Sequence, residues 1–261
     1  MPRSINEGVI AYLPFKNSSL KDSLTKNEKR VANDAIWGNT KSVPTFVKGF
    51  SDTQDGSDLA ISFDGDSSFI KLRDNPTLQF KTQFSISLWI KPDLNRLLQQ
   101  GTEANMQIFH KSAYDGYSNE SYSALIRRVR LQTFALDDFY EQHPILIPTF
   151  TIRSNIKMEN TSSRCDIPGR DWQTANFTVN PYIVDIVANN TWYHVVYSYN
   201  DSTAAVYLDG NLSGTSKLRG TQIQSCPGGD LRFAMGDIRY RFYFKGAMDE
   251  IRIYDRQLND K

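Results

Sequence analysis

The stretch TWYHVVYSYNDSTAAVYLDGNLSG, Thr191 to Gly214, decides how the rest of the chain is read. Trp192 to Tyr199 is a run of β-branched and aromatic residues, the types that fill a pleated surface. The run breaks at Asn200-Asp201-Ser202-Thr203 and resumes at Ala204 to Leu208. Asp209-Gly210-Asn211 then supplies a tight turn, because Asp, Gly and Asn tolerate the positive φ that a two-residue hairpin needs. The spacing predicts an antiparallel meander of three short strands. Apolar residues fall on both faces, with Trp192, His194 and Val196 on one and Tyr193, Val195, Tyr197 and Tyr199 on the other. Such a ribbon has to be covered twice, which puts it centrally in a two-layer sandwich.

Working outward, the same period-two signal recurs along the chain. Phe84, Ile86, Leu88 and Ile90 alternate with Ser85, Ser87 and Trp89, so one face of that strand is core and Pro92 ends it. Gly8 to Phe15, Val43 to Phe50, Met106 to Lys111, Ser123 to Thr133, Thr149 to Ile156, Leu231 to Met235 and Met248 to Tyr254 also read as strands. Leu59 to Phe63 and Ser68 to Leu72 flank Asp64-Gly65-Asp66, which predicts a hairpin. Asn17 to Trp37 is polar, has no apolar face, and reads as a loop across the end of the sandwich. The middle, roughly 127–187, is an insertion. Within it Cys165 to Asn180 reads as a long irregular loop carrying Arg170-Asp171-Trp172.

Lys plus Arg number 30 against 29 Asp plus Glu in 261 residues. This near-neutral balance gives no electrostatic case for nucleic acid or for an anionic membrane surface as partner. No apolar run has membrane-spanning length, so direct membrane insertion is not expected. Met1-Pro2-Arg3-Ser4 is not a signal peptide, and the chain is read as one domain, residues 1–261, of a longer exported protein. Asn-x-Ser/Thr triplets begin at Asn17, Asn119, Asn160, Asn176, Asn189, Asn200 and Asn211, marking exposed loops. Cys165 and Cys226 are either two free thiols or one bridge; a bridge closing so long a loop would stabilise by roughly 4 kcal/mol.

The meander, together with Phe84 to Pro92 and Phe244-Lys-Gly-Ala-Met-Asp-Glu-Ile-Arg-Ile-Tyr-Asp-Arg-Gln-Leu258, resembles the laminin-G-like jelly rolls of the concanavalin A-like lectin/glucanase group. Gly8 to Phe15 and Leu59 to Gly65 extend the resemblance in the order that family shows. The resemblance implies an all-β antiparallel sandwich of jelly-roll type, here with enlarged loops. Relatives on this architecture include glycoside hydrolases and polysaccharide lyases, so catalysis has to be tested. No Glu-x-Asp-x-x-Glu is present, and the adjacent Asp249-Glu250 would point to opposite faces of a regular strand. Gln107-Ile-Phe109 and Tyr243-Phe-Lys-Gly-Ala247 are similar to lyase motifs, but Phe109 stands where those have histidine, which removes a catalytic group. No two of His110, His143 and His194 share a metal-ligand spacing.

The resemblance also implies a structural calcium, and the matching positions are Asp64, Asp249 and, in the first loop, Asp22, which offer hard oxygen ligands. For sugar binding the need is an exposed aromatic face with polar groups beside it. The best supply is Tyr114, Tyr117, Tyr140, Arg170, Asp171 and Trp172, whereas Trp89 and Trp192 lie in strand patterns and read as core. The expectation is a non-catalytic extracellular or cell-surface module that binds a polysaccharide or glycan. A protein-binding adhesion or spacer domain is the alternative.

Overall fold

Strand-forming residues account for most of the chain that the computed structural model describes, namely residues 6–23, 34–38, 41–51, 58–95, 105–112, 120–129, 145–155, 172–178, 189–200, 203–217, 223, 228–236 and 242–258. The strands are β1 (Val9–Leu13), β2 (Ala35–Trp37), β3 (Thr45–Lys48), β4 (Leu59–Asp64), β5 (Ile70–Leu72), β6 (Gln83–Pro92), β7 (Asn105–Ser112), β8 (Glu120–Val129), β9 (Ile145–Asn155), β10 (Trp172–Thr178), β11 (Tyr193–Asn200), β12 (Thr203–Leu208), β13 (Asn211–Lys217), β14 (Leu231–Phe233) and β15 (Lys245–Tyr254). All pairings are antiparallel. One sheet runs β13-β12-β11-β6-β15-β4-β3, with β1 also on β15; the other runs β10-β9-β8-β7-β14-β5-β2.

The core is the space between the two sheets. Phe84, Ile86, Leu88, Val195, Tyr197, Tyr199, Ile251 and Ile253 face Ile70, Leu72, Phe109, Tyr122, Leu231 and Phe233, all of them buried. Rings interlock across the gap, with Phe109 and Tyr197 edge to face at 5.1 Å between centroids. Each such ring contributes about 1.5–3 kcal/mol by leaving water. The meander forms as its sequence predicts. Val195, Tyr197 and Tyr199 point inward, His194 and Val196 outward. The β12–β13 turn has both Asp209 and Gly210 at positive φ, 48° and 81°, the conformation a two-residue hairpin of this twist requires.

Three expectations change. Leu59–Asp64 and Ile70–Leu72 are not a hairpin: β4 pairs with β3 and β15, β5 with β14 and β2. The Asp64-Gly65 turn is instead a crossover between sheets. The Asp64 carboxylate accepts the amides of Asp66, Ser67 and Ser68 at 2.9, 3.0 and 2.9 Å, which redirects the chain where a hairpin would have returned it. The polar first loop contributes β2 near its end. The insertion adds β9 and β10 as two further strands at the edge of the second sheet, so Trp172 opens a strand, in register with Asn155, and is not in irregular loop.

Candidate functional site

Outward-facing residues of the first sheet assemble an aromatic platform. Alternation that buries Leu88 and Ile90 turns Trp89 to the outside, and antiparallel register sets His194 beside it. Phe50, 39% exposed, stacks on Trp89 with centroids 3.4 Å apart and 14° between planes. Trp192 meets Phe50 edge-on at 6.4 Å. The His194 ring lies 5.1 Å from that of Trp89, and its Nε2 is 2.8 Å from the Ser87 hydroxyl. Burial, partly opposed by the charge of Asp209, pulls the His194 imidazole below its ordinary pKa, which favours a neutral ring able to accept as well as donate.

Beneath Phe50 lie buried carboxylates. Asp249, with no exposed surface, accepts the Phe50 amide at 3.0 Å, and Asp58 accepts the Ser51 amide at 2.8 Å. Gly49 donates to the Asp58 carbonyl at 2.9 Å. A Cβ on Gly49 would collide with the Asp58 carboxylate and stand 2.8 Å from Asp249 Oδ2, so only glycine lets the backbone come this close. Desolvation pushes the Asp249 carboxyl up to about 7; the Phe50 amide lowers it and the charge of Asp58 adds to the rise.

Ligand oxygens of Asp58, Asp249 and Glu250 lie within 4.8 Å of one another, the one such group among the described residues. The sequence reading had Asp249 and Glu250 on opposite faces. A bulge between Asp249 and Arg252, with Glu250 at φ 51°, breaks the alternation. The Glu250 carboxylate is held by Arg252 and by the Tyr12 hydroxyl at 2.7 Å, whereas Asp249 is enclosed. Asp58 and Asp249 supply hard, buried oxygens against a close backbone, which fits calcium; such an ion would neutralise them and supply no reacting group.

The three acids expected to share a calcium do not come together. Asp64 is at the opposite end of β4 from Asp58, its oxygens taken by turn amides and by Ser42, Ser67 and Ser68 hydroxyls. Asp22 accepts the Tyr12 amide at 3.0 Å. Tyr114, Tyr117, Tyr140, Arg170, Asp171, Cys165 and Cys226 lie outside the described residues. Sequence reasoning missed Phe50, Gly49 and Asp58, and took Trp89 and Trp192 as core. The available signal was outward alternation in β6, which aimed Trp89 away from Leu88.

Two antiparallel sheets stack as a sandwich, with the Met-Asp-Glu strand β15 between β4 and β6. Residues 164–261 match the family model of the concanavalin A-like lectin/glucanases superfamily. No curated protein matches the chain by sequence. Among solved structures, domain 4 of AbnA, a GH43 extracellular arabinanase from Geobacillus stearothermophilus solved in complex with arabinotriose, is similar at TM-score 0.57 and 18% identity, covering 97% of this chain and 94% of that one. The binding domain of Paraclostridial Mosquitocidal Protein 1 gives 0.60 and 16%, over 97% and 50%. The binding domain of Botulinum Neurotoxin DC in complex with SialylT gives 0.58 and 18%, over 98% and 50%. The chain thus spans about half the length of the two toxin domains. At these identities the likeness establishes the fold.

Proposed function

We propose that this chain is a non-catalytic carbohydrate-binding module of an extracellular or cell-surface protein, a single domain over 1–261. The carrying observation is the Phe50–Trp89–Trp192 platform: a sugar ring stacks its apolar face on such a surface, and His194, Ser87 and the neighbouring turn offer polar partners. Two structurally similar domains were solved with saccharides, arabinotriose and SialylT, which supports the reading. Calcium between Asp58 and Asp249 is its structural ion, fixing the loop that bears Phe50. Trp172, Tyr114, Tyr117, Tyr140, Arg170 and Asp171 are further candidate glycan contacts, proposed from their residue types alone.

The test is affinity gel electrophoresis of the folded chain against neutral and acidic polysaccharides. Retardation lost in Phe50→Ala and Trp192→Ala is the expected result. Loss in Trp172→Ala alone moves the contact to the insertion, and no retardation by any glycan overturns the proposal. Protein binding is the second reading, favoured by Trp37, Val43, Val47 and Phe50 being exposed along one segment. A similar domain was solved with rat synaptotagmin II.

A further inference from the structure

Strand β6 lies in the middle of the first sheet, and its outward face carries Trp89 and then Lys91, since Leu88 and Ile90 are core. Register extends the row across the sheet: Lys91 opposite Ala247, Ala247 opposite Ser62, Ser62 opposite Thr45. On the other side, pairing of Tyr193 with Ile90 brings Trp192 level with Lys91. Residues two apart on a strand stand about 7 Å apart, so Lys91 borders both tryptophans of the aromatic platform. A lysine in the middle of a sheet ordinarily meets water or a carboxylate. Lys91 is half-buried, and it enters no ion pair among the described residues. The nearby acids are committed elsewhere. Asp93, two positions on, is held by Lys245 at 2.9 Å and accepts the Asn95 amide at 3.1 Å. Asp249, opposite Trp89, accepts the Phe50 and Glu250 amides, and Glu250 is held by Arg252 and Tyr12. Ala247 and Ser62 are too short to cover the ammonium.

Resting on the platform reading above, we propose that Lys91 selects an anionic saccharide, a uronate: one pyranose ring stacks on Phe50 and Trp192, and its carboxylate pairs with the Lys91 ammonium. The class follows from the surroundings. A cation partly withdrawn from water, beside aromatic surface and without a counter-charge, gains from an opposite charge brought to it. A neutral sugar leaves it as it is, and a cationic amino sugar is repelled, so the contact discriminates by charge. The Ser62 and Thr45 hydroxyls on the same row can hydrogen-bond a following sugar residue. Lysine offers a point charge on a flexible stem and not a planar fork, so it sets the charge preference and leaves the identity of the uronate to its neighbours. Every group invoked faces outward, and binding needs no rearrangement of the sheet.

The experiment is calorimetric titration of the full chain with oligogalacturonate, oligomannuronate and hyaluronan oligosaccharides, each compared with its methyl ester, which keeps the rings and removes the charge. At least one uronate should bind about tenfold more tightly than its ester, and the difference should narrow as sodium chloride is raised. Lys91→Gln, which breaks no ion pair of the fold, should bring the acid down to the affinity of the ester and leave the ester unchanged. Lys91→Arg should keep the preference. Phe50→Ala should weaken acid and ester alike. Acid and ester bound equally by the wild type, or a preference that persists in Lys91→Gln, overturns the inference. Neutral oligosaccharides bound through Phe50 with no preference for acid would overturn it alone and leave the platform standing, whereas no binding of any saccharide, charged or neutral, overturns both.

Discussion

The buried carboxylate of Asp249 accepts the backbone amide of Phe50 at 3.0 Å, across 199 positions of sequence. Through that bond a residue in the last strand sets where an aromatic ring stands in a loop near the first sheet's edge. The ring then stacks on Trp89, and Trp89 is itself the register partner of Asp249. Acid, loop and platform are one unit.

Truncating the exposed member of that unit should separate binding from stability. Phe50→Ala is expected to weaken glycan binding about tenfold, equivalent to ~1.4 kcal/mol. Its melting temperature should stay close to wild type, since the ring is partly solvated. Titration of both proteins with the same oligosaccharide checks this; equal affinities would show that the platform is not the contact.

Gly49 tests the close approach of the loop. Gly49→Ala drives a methyl group into the Asp58 and Asp249 carboxylates and should cost about 1–3 kcal/mol in urea denaturation. Unlike Phe50→Ala, it should depress stability and glycan affinity together, because the loop that carries Phe50 has to move.

Calcium should act through Asp58 and Asp249. Adding millimolar calcium to EDTA-treated protein is expected to raise the melting temperature by several degrees, by preferential binding to the folded state. Asp58→Asn should reduce that gain, whereas Asp64→Ala should keep it, its carboxylate being committed to a turn. An unchanged melting curve, with no ion found by elemental analysis, would remove the metal.

Acid should unfold the chain from elsewhere. Burial alone would raise the carboxyls of Asp64, Asp74 and Asp93. Hydrogen bonds outweigh it and hold all three below the ordinary 3.8: Ser42 with turn amides on Asp64, Lys111 with the Gly228 amide on Asp74, Lys245 on Asp93. A lowered folded-state pKa means the unfolded chain binds protons first, so this stability is present above about pH 4 and lost as pH falls. Circular dichroism from pH 6 to 2 should show that loss.

Lys111 is the sharpest point of the same region. Its side chain is 2% exposed and its ammonium contacts Asp74 at 2.7 Å and the Gly229 carbonyl. Desolvation draws the Lys111 pKa down while Asp74 raises it, so the pair survives on its geometry. Asp74→Asn strands the buried cation and should cost about 3 kcal/mol at pH 7. Lys111→Met with Asp74→Asn should recover part of it.

Sequence alone determined the strand pattern and the layered class. Alternation in Phe84–Ile90 and Val195–Tyr199 is a local property, because a pleated strand sends neighbours to opposite faces whatever surrounds it. The Asp209-Gly210 turn is equally local. Tertiary structure decided the rest. Asp64-Gly65 reads as a hairpin until the chain is seen to change sheets, and sheet membership depends on partners far away in sequence. Trp89 and Trp192 have the composition of core, but which face of a strand is covered is settled by the opposing layer. Asp249 and Glu250 converge because a bulge breaks the period that sequence assumes. Asp58 meets Asp249 only when β4 docks on β15, and no spacing rule connects residues 191 positions apart in the chain.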